Sequence, residues 1–319
     1  MLITKNISLL VIPQRMFAGT DSFPLVAVPF FILAGDLLAK GQVSRRLVDF
    51  ADSFLGFVKG GLSLVAVVGA MFFAGISGSG AADTAAIGAP LIPEMERKGY
   101  SKPFAAALIA AAGTIGVVIP PSVPMVLYAV IADQSVAKLF VNGFIPGILM
   151  GLSLMIVAIY TAYRQNYPTG STFSWSNVWD KFKKSLWGLL TPLIILGGIF
   201  SGYFTPSEAA VIAVDYSLIV ALFIYRDLKL KDIFQIVVNS AVTMSLVMLV
   251  IATSNIFSWI LANWKIPVTI ANSLLALTDN KFLILLMIDA IILIAGVFME
   301  TASALIILTP VFLPIVTSL

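Results

Sequence analysis

The chain of 319 residues contains no histidine and no cysteine, and only 11% of its residues are charged. Without imidazole there is no Ser-His pair, no haem ligand and no imidazole zinc site. Without a thiol there is no cysteine nucleophile, iron–sulfur cluster or disulfide, and the redox compartment leaves no trace. A soluble domain is about 25% charged and about 45–50% apolar. Here 60% of the residues are hydrophobic and the mean hydropathy is +1.03, so most of the chain has lipid as its solvent. There is also no arginine-rich start leading into a short apolar core and an A-x-A site, so no signal peptide is expected.

What the sequence does have is one apolar run after another. A bilayer core about 30 Å thick needs roughly 20 apolar residues of helix. Runs of this kind lie at 23–39, 54–74, 104–131, 139–163, 186–203, 207–225, 234–262, 266–278, 282–298 and 301–319. The expected fold is an all-α polytopic membrane protein. Run 23–39 carries Asp36 and two prolines, and run 266–278 is short, so neither reads as a simple span. Pro310–Leu319 ends inside an apolar run, and both ends of the sequence look cut.

The net charge of +3 could suggest nucleic acid, but the positions of the charges exclude it. Thirteen of the 19 Lys and Arg residues form four clusters: Lys40, Arg45 and Arg46; Arg97, Lys98 and Lys102; Arg164, Lys181, Lys183 and Lys184; and Arg226, Lys229 and Lys231. No stretch interleaves basic and aromatic residues as a nucleic-acid surface would. Short loops rich in Lys and Arg stay cytoplasmic, and the spacing of the apolar runs lets all four clusters share that face. The turns near Asp133–Lys138 and Phe204–Glu208 then lie outside. Asn166–Lys184, with Trp175 and Trp179, reads as an interfacial helix lying among lipid headgroups.

Three apolar regions read as broken. In 71–93, Gly75, Gly78 and Gly80 loosen the backbone, while Ser77, Ser79, Asp83 and Thr84 supply oxygen atoms. An acid at membrane depth marks a functional site by default. The segment is expected to be a hairpin of two half-helices with its tip at Ser77–Asp83, against the alternatives of a small-residue packing face or a plain turn. In 112–125, Pro120 and Pro121 are expected to open the helix near Thr114–Pro121 and let it restart at Ser122, against the alternative of a kinked helix whose freed groups are capped by neighbours. Segment 295–314 echoes the first: Gly75 precedes Pro93 by 18 residues and Gly296 precedes Pro314 by 18, with Glu300-Thr-Ala-Ser between them. Paired interrupted segments point to a transporter site between repeats.

Carbonyls, hydroxyls and a carboxylate suit a hard cation such as Na⁺. Ser77, Ser79 and Asp83 facing carbonyls near Gly116–Pro121 would form one site. Glu300, Thr301 and Ser303 would form its counterpart. Amide ends at Thr84 and Ser122 would face a carboxylate, and sodium bound first would raise affinity for the anion. Asp289 reads equally as a relay or a buried structural bond. Glu208 and Asp215 read as helix-start acids. An enzyme is not expected, because a serine lacks its usual base and Lys59, beside Gly60-Gly61, reads as a turn.

Five stretches, in order, resemble the large membrane subunit of tripartite ATP-independent periplasmic (TRAP) transporters: Pro13-Gln-Arg-Met-Phe-Ala-Gly-Thr-Asp-Ser-Phe-Pro, Pro29-Phe-Phe-Ile-Leu-Ala-Gly, Gly75-Ile-Ser-Gly-Ser-Gly-Ala-Ala-Asp-Thr-Ala-Ala-Ile-Gly, Ile119-Pro-Pro-Ser and Phe204-Thr-Pro-Ser-Glu-Ala-Ala. The resemblance implies an elevator-type transporter of the ion-transporter superfamily kind, with inverted repeats and re-entrant hairpins, in the bacterial inner membrane. It implies scaffold and arm helices over 1–70 and a first transport half over 71–133 (hairpin 71–93, broken helix 104–131). Scaffold helices over 139–265 and an incomplete second half over 266–319, with a hairpin from about 296, would follow. The implied function is sodium-driven uptake of an organic acid anion such as a C4-dicarboxylate, sialic acid or another sugar acid. The implied partners are a periplasmic substrate-binding protein, a small membrane subunit and membrane lipids. A sodium/dicarboxylate symporter that works without a binding protein is the alternative. Carried over residue by residue, one sodium site takes Ser77, Ser79, Asp83, Gly116, Ile119 and Pro121, and the other takes Glu300 and Thr301, with Ser303 beside them. Substrate would meet Ser79, Thr84, Pro121 and Ser122. By the resemblance, the family's opening helices and the Thr-Pro-Pro stretch that follows its second hairpin are expected to fall outside this sequence, so the second site is expected to be incomplete.

Overall fold

A computed structural model of the chain describes residues 8–170, 172–275, 278 and 280–318. Every regular element among them is helical. After α1 (Val11–Thr20) and a 3₁₀ turn at Phe23–Val26 come α2 (Ala27–Lys40), α3 (Val43–Leu55), α4 (Gly61–Ser77) and α5 (Gly80–Arg97). Then follow α6 (Lys102–Gly113) with a 3₁₀ turn at Thr114–Val117, α7 (Val123–Ile131), α8 (Val136–Arg164) and α9 (Trp175–Phe200). The chain continues with α10 (Pro206–Ile219), a π turn at Val220–Ile224, α11 (Leu230–Asn263), α12 (Ile266–Leu275), α13 (Lys281–Phe298) and α14 (Thr301–Ser318).

Six helical stretches among the described residues are long and apolar enough to cross a membrane: Phe23–Lys40, Val136–Arg164, Trp175–Phe200, Pro206–Ile224, Leu230–Asn263 and Lys281–Phe298. The chain is therefore an all-α polytopic membrane protein. The remaining apolar runs are short or interrupted: 54–74 becomes α4, 104–131 is split, 266–278 contributes only α12, and 301–319 forms α14. Residues 276, 277 and 319 of those runs lie outside the described residues.

Two units divide these helices. The larger takes Ala27–Met125 and Val136–Ala241, and its centre is α4. Val65, Ala66, Val67, Phe73 and Ala74 on this helix are fully buried, as expected of a helix apolar on every side. Packed on α4 are α2, α3, α5, α6 and α8. Gly60 starts α4 with a φ of +72°, where an L side chain is strained, and an added Cβ would collide with Ala162. The turn at Lys59–Gly60 is tied down by loop 165–170: Lys59 Nζ donates to Asn166 Oδ1 (2.8 Å), Gly60 N to the Pro168 carbonyl (3.1 Å) and Gly170 N to the Gly56 carbonyl (3.0 Å). At the start of α10 the Thr205 hydroxyl accepts Glu208 N (3.3 Å) while Glu208 Oε2 accepts Thr205 N (2.8 Å), a closed capping box. Glu208 is thus the helix-start acid its position suggested.

The four basic clusters gather at one end of this unit. Lys181 Nζ reaches Asp49 Oδ2 at 2.9 Å, Asp227 Oδ2 accepts Gln42 N at 2.6 Å, and the Arg46 guanidinium sits 4.1 Å over the Tyr225 ring. Ser101 lies against the Tyr167 hydroxyl, and Tyr100 stacks on Tyr167 with centroids 4.2 Å apart. Burial raises the Asp52 carboxyl above its usual range, and the Lys98 charge pulls it partly back.

One expectation is corrected. The interfacial helix over Asn166–Lys184 does not form as a separate element: none of the described residues from Asn166 to Ser174 is helical, and α9 runs unbroken from Trp175 into the apolar run. Nothing helix-breaking separates Lys184 from Leu186, so the amphipathic start and the span become one helix. The second arm of the first break, α5, runs through Pro90 and Pro93 to Arg97.

The second unit takes Met1–Val26, Val126–Ser135 and Val242–Leu319. Ile284 and Ile288 of α13 pack with Val311, Phe312 and Ile315 of α14, and Arg15 lies 5.5 Å from the Trp259 ring centroid. Between α13 and α14 the helix breaks at Met299-Glu300.

Because the chain has no native cysteine, sidedness can be read directly from single cysteines. Lys229→Cys should react with a membrane-impermeant maleimide only from the cytoplasmic side, and Tyr203→Cys (84% exposed) only from the outside. Labelling of both from one side would overturn the topology.

Candidate functional site

The two expected breaks of the larger unit exist, and they touch. Gly78 ends α4 with a φ of +62°, a left-handed turn that its missing Cβ allows. Ser79 then caps α5, its hydroxyl accepting Ala82 N at 3.4 Å, and the Ser79 carbonyl accepts Asp83 N at 2.9 Å. Opposite, α6 tightens into the 3₁₀ turn and opens at Val118–Ser122 before α7. Val123 N donates to the Gly78 carbonyl at 3.2 Å, and a Cβ on Gly78 would stand 2.6 Å from the Pro121 carbonyl oxygen.

Glycines make the approach possible. A Cβ on Gly80 would lie 2.9 Å from the Gly113 carbonyl oxygen, one on Gly113 would collide with Thr84 Oγ1, and one on Gly116 would collide with Asp83 Oδ2. Gly113 and Gly116 lie one turn apart and present a smooth face to the first turn of α5. Sequence reading singled out Gly116 through the family resemblance but missed the role of Gly113. The available signal was the spacing of small residues before Pro120.

At the centre lies Asp83, with no exposed surface. Its Oδ1 accepts the Ser77 hydroxyl, and Ser77 Oγ in turn accepts Ser79 N at 3.1 Å. Asp83 Oδ2 is buried, has no hydrogen-bond partner among the described residues and faces Gly116. An uncompensated carboxylate oxygen in such surroundings costs several kcal/mol, so it calls for a cation or a proton. The C-terminal end of α4 adds its partial negative charge at the same place.

The other expected residues fall as follows. Ser122 is fully buried; its hydroxyl donates to the Val117 carbonyl (2.6 Å) and accepts Met125 N (3.3 Å), so it caps α7. The Thr84 hydroxyl donates to the Gly80 carbonyl at 2.8 Å. The Ile119 backbone belongs to the break, and its side chain packs where a Cβ on Gly147 would sit. Ser77, Ser79, Asp83 and Gly116 are therefore linked by direct contacts, and Pro121 and Ser122 lie against Gly78 beside them.

In the second unit the break at Met299-Glu300 keeps the register of the first. Adding the 221 residues that separate Gly75 from Gly296 carries Gly78-Ser79 onto Met299-Glu300. The capping chemistry differs. Glu300 is exposed, and its own carboxylate is the cap, Oε2 accepting Ala302 N (2.9 Å) and Ser303 N (3.4 Å). Thr301 lines a cavity of about 470 Å³ together with Asp289, Thr309 and Tyr128. The place that corresponds to Asp83 holds Ala304.

The whole chain, residues 1–319, matches the family described as the tripartite ATP-independent periplasmic transporter, DctM component. It is 44% identical over 311 residues to the isethionate TRAP transporter permease protein DctMQ of Oleidesulfovibrio alaskensis, covering 96% of this chain and 48% of that protein. It is 41% identical over 305 residues to the C4-dicarboxylate TRAP transporter large permease protein DctM of Pseudomonas aeruginosa (96% of this chain, 71% of that one). Identity to the sialic acid TRAP transporter large permease protein SiaM of Vibrio cholerae is 35% over 318 residues (100% and 74%). The chain thus spans about half of the first relative and under three quarters of the other two.

A methyl group at Gly116 has no room unless Asp83 leaves its place. Gly116→Ala should cost about 1–3 kcal/mol, read as a lowered Tm in detergent, and an unchanged Tm would show that the carboxylate is not packed there.

Proposed function

We propose, since the chain belongs to the DctM component family of tripartite ATP-independent periplasmic transporters, that it forms the membrane permease of a sodium-driven importer of an organic acid anion in the bacterial inner membrane. The observation that carries this reading is the buried, unpartnered Asp83 Oδ2 held between two helix breaks. Sodium binds there through Asp83 and the oxygens of Ser77, Ser79, Gly116, Ile119 and Pro121, and hard oxygen ligands of this kind suit an alkali cation. Asp83 stays ionised because the cation replaces the water it has lost. By linkage, a cation that orders the Gly78–Gly80 tip raises affinity for an anion bound beside it, and the anion raises affinity for the cation equally. The anion meets Ser79, Thr84, Pro121 and Ser122, where the first turn of α5 offers the positive end of its dipole. Glu300, Thr301 and Ser303 contribute the counterpart site in the second unit.

The substrate is a small organic acid anion, and the chain is no enzyme. Relatives are named for isethionate, C4-dicarboxylate and sialic acid, three anions of different shape. In keeping with that spread, a periplasmic binding protein delivers the substrate and selects it. A small membrane subunit completes the assembly, with membrane lipids around it. The broken helices move as part of an elevator-type transport domain, carrying the site from one face of the membrane to the other.

The test is uptake by the full complex in proteoliposomes, with and without binding protein, for a panel of C4-dicarboxylates and sialic acid. Uptake should require an inward sodium gradient, and Asp83→Asn should lower it by about 30-fold or more with assembly unchanged. Wild-type uptake in that variant overturns the site. Uptake driven by a proton gradient without sodium overturns the coupling ion. Uptake that needs no binding protein identifies an independent sodium/dicarboxylate symporter instead.

A further inference from the structure

Ser77 is the hinge of the proposed cation site, because its hydroxyl holds Asp83 Oδ1 and receives Ser79 N. Its backbone is held in turn by α2. A Cβ on Gly35 would lie 3.0 Å from Ser77 Cα and 3.1 Å from the Ser77 carbonyl oxygen, inside the 3.5–4.0 Å of ordinary carbon contacts. The two backbones therefore meet with no side chain between them, and both residues are buried. The next residue, Asp36, points about 100° further round the helix. Its Oδ2 accepts the Ser240 hydroxyl of α11 at 2.5 Å. An acid in an apolar helix, bonded to a separate helix, ties α2 to α11 at this level. Beyond it, Leu37 and Leu38 are fully buried.

We infer that Gly35 is a positioning residue for the cation site, with the Asp36–Ser240 hydrogen bond holding α2 so that its backbone sets where Ser77 sits. The inference rests on the cation-site reading above and extends it to a helix that contributes no ligand. A methyl at Gly35 must displace Ser77 by a few tenths of an ångström, and the displacement passes to the Ser77 hydroxyl and the Asp83 carboxylate together. Binding constellations lose affinity over displacements of about 0.5 Å. A glycine that served packing alone would lower the amount of folded protein and leave the sodium dependence of what remains unchanged.

The experiment is initial uptake against sodium concentration, in the full complex, for Gly35→Ala and Ser240→Ala. Gly197→Ala serves as the control, since a Cβ there meets nothing within 4 Å. Gly35→Ala should raise the sodium concentration for half-maximal uptake about 3- to 10-fold, with maximal uptake within about 2-fold of wild type. Ser240→Ala should raise it about 2- to 4-fold, and Gly197→Ala should not change it. An unchanged half-maximal sodium concentration in Gly35→Ala, or a loss of maximal uptake alone, overturns the inference. If that variant does not assemble, Ser240→Ala decides by the same measure. Sodium-dependent uptake retained in Asp83→Asn would sink the cation-site reading itself. Loss in Asp83→Asn combined with an unmoved Gly35→Ala sinks only the role of Gly35.

Discussion

Backbone that leaves the helix inside an apolar bundle must find its hydrogen-bond partners within the protein, because lipid supplies none. In the larger unit two broken stretches meet that demand for each other and for themselves. Val123 N donates to the Gly78 carbonyl across the gap, Ser79 caps α5, and Ser122 bonds both to Val117 behind it and to Met125 ahead. At the centre of these bonds one buried carboxylate oxygen, Asp83 Oδ2, has no partner among the described residues. The local chemistry follows from that oxygen.

Close approach is what makes the arrangement possible. Gly80, Gly113 and Gly116 let α5 lie against the start of the second break, and Gly35 lets α2 lie against Ser77. Each of these contacts is backbone or a short polar group against a missing Cβ, so the site is shaped by what the side chains lack. Such positions tolerate little change, because densely packed interiors pass on small displacements.

The break between α13 and α14 shows what a shared register keeps and what it gives up. The breaks at Gly78-Ser79 and Met299-Glu300 fall in the same register, so the half-helix geometry recurs. In the first, a serine caps the helix and leaves the acid one turn in, buried and partly unpaired. In the second, the acid is itself the cap, and Glu300 Oε2 is taken up by backbone amides. The same oxygen-rich composition therefore produces two electrostatic situations.

Membrane residence and the all-helical fold were readable from hydropathy alone, because a helix is the form in which an apolar segment satisfies its own backbone in lipid. The breaks were readable too: Gly75-Ile-Ser-Gly-Ser-Gly and Ile119-Pro-Pro-Ser cannot continue a helix undisturbed. Composition also narrowed which chemistry was available, since imidazole and thiolate ligands are both absent. Linear order could not show that Gly113 makes room for Thr84, that Ser122 spends its hydroxyl on capping, or that α9 absorbs the amphipathic stretch before it. Nor could it show that Gly35 and Asp36, adjacent in sequence, serve Ser77 and Ser240 on different helices. Those outcomes depend on which helix faces which, and that is decided by packing between residues far apart in the chain, where local propensity carries no information.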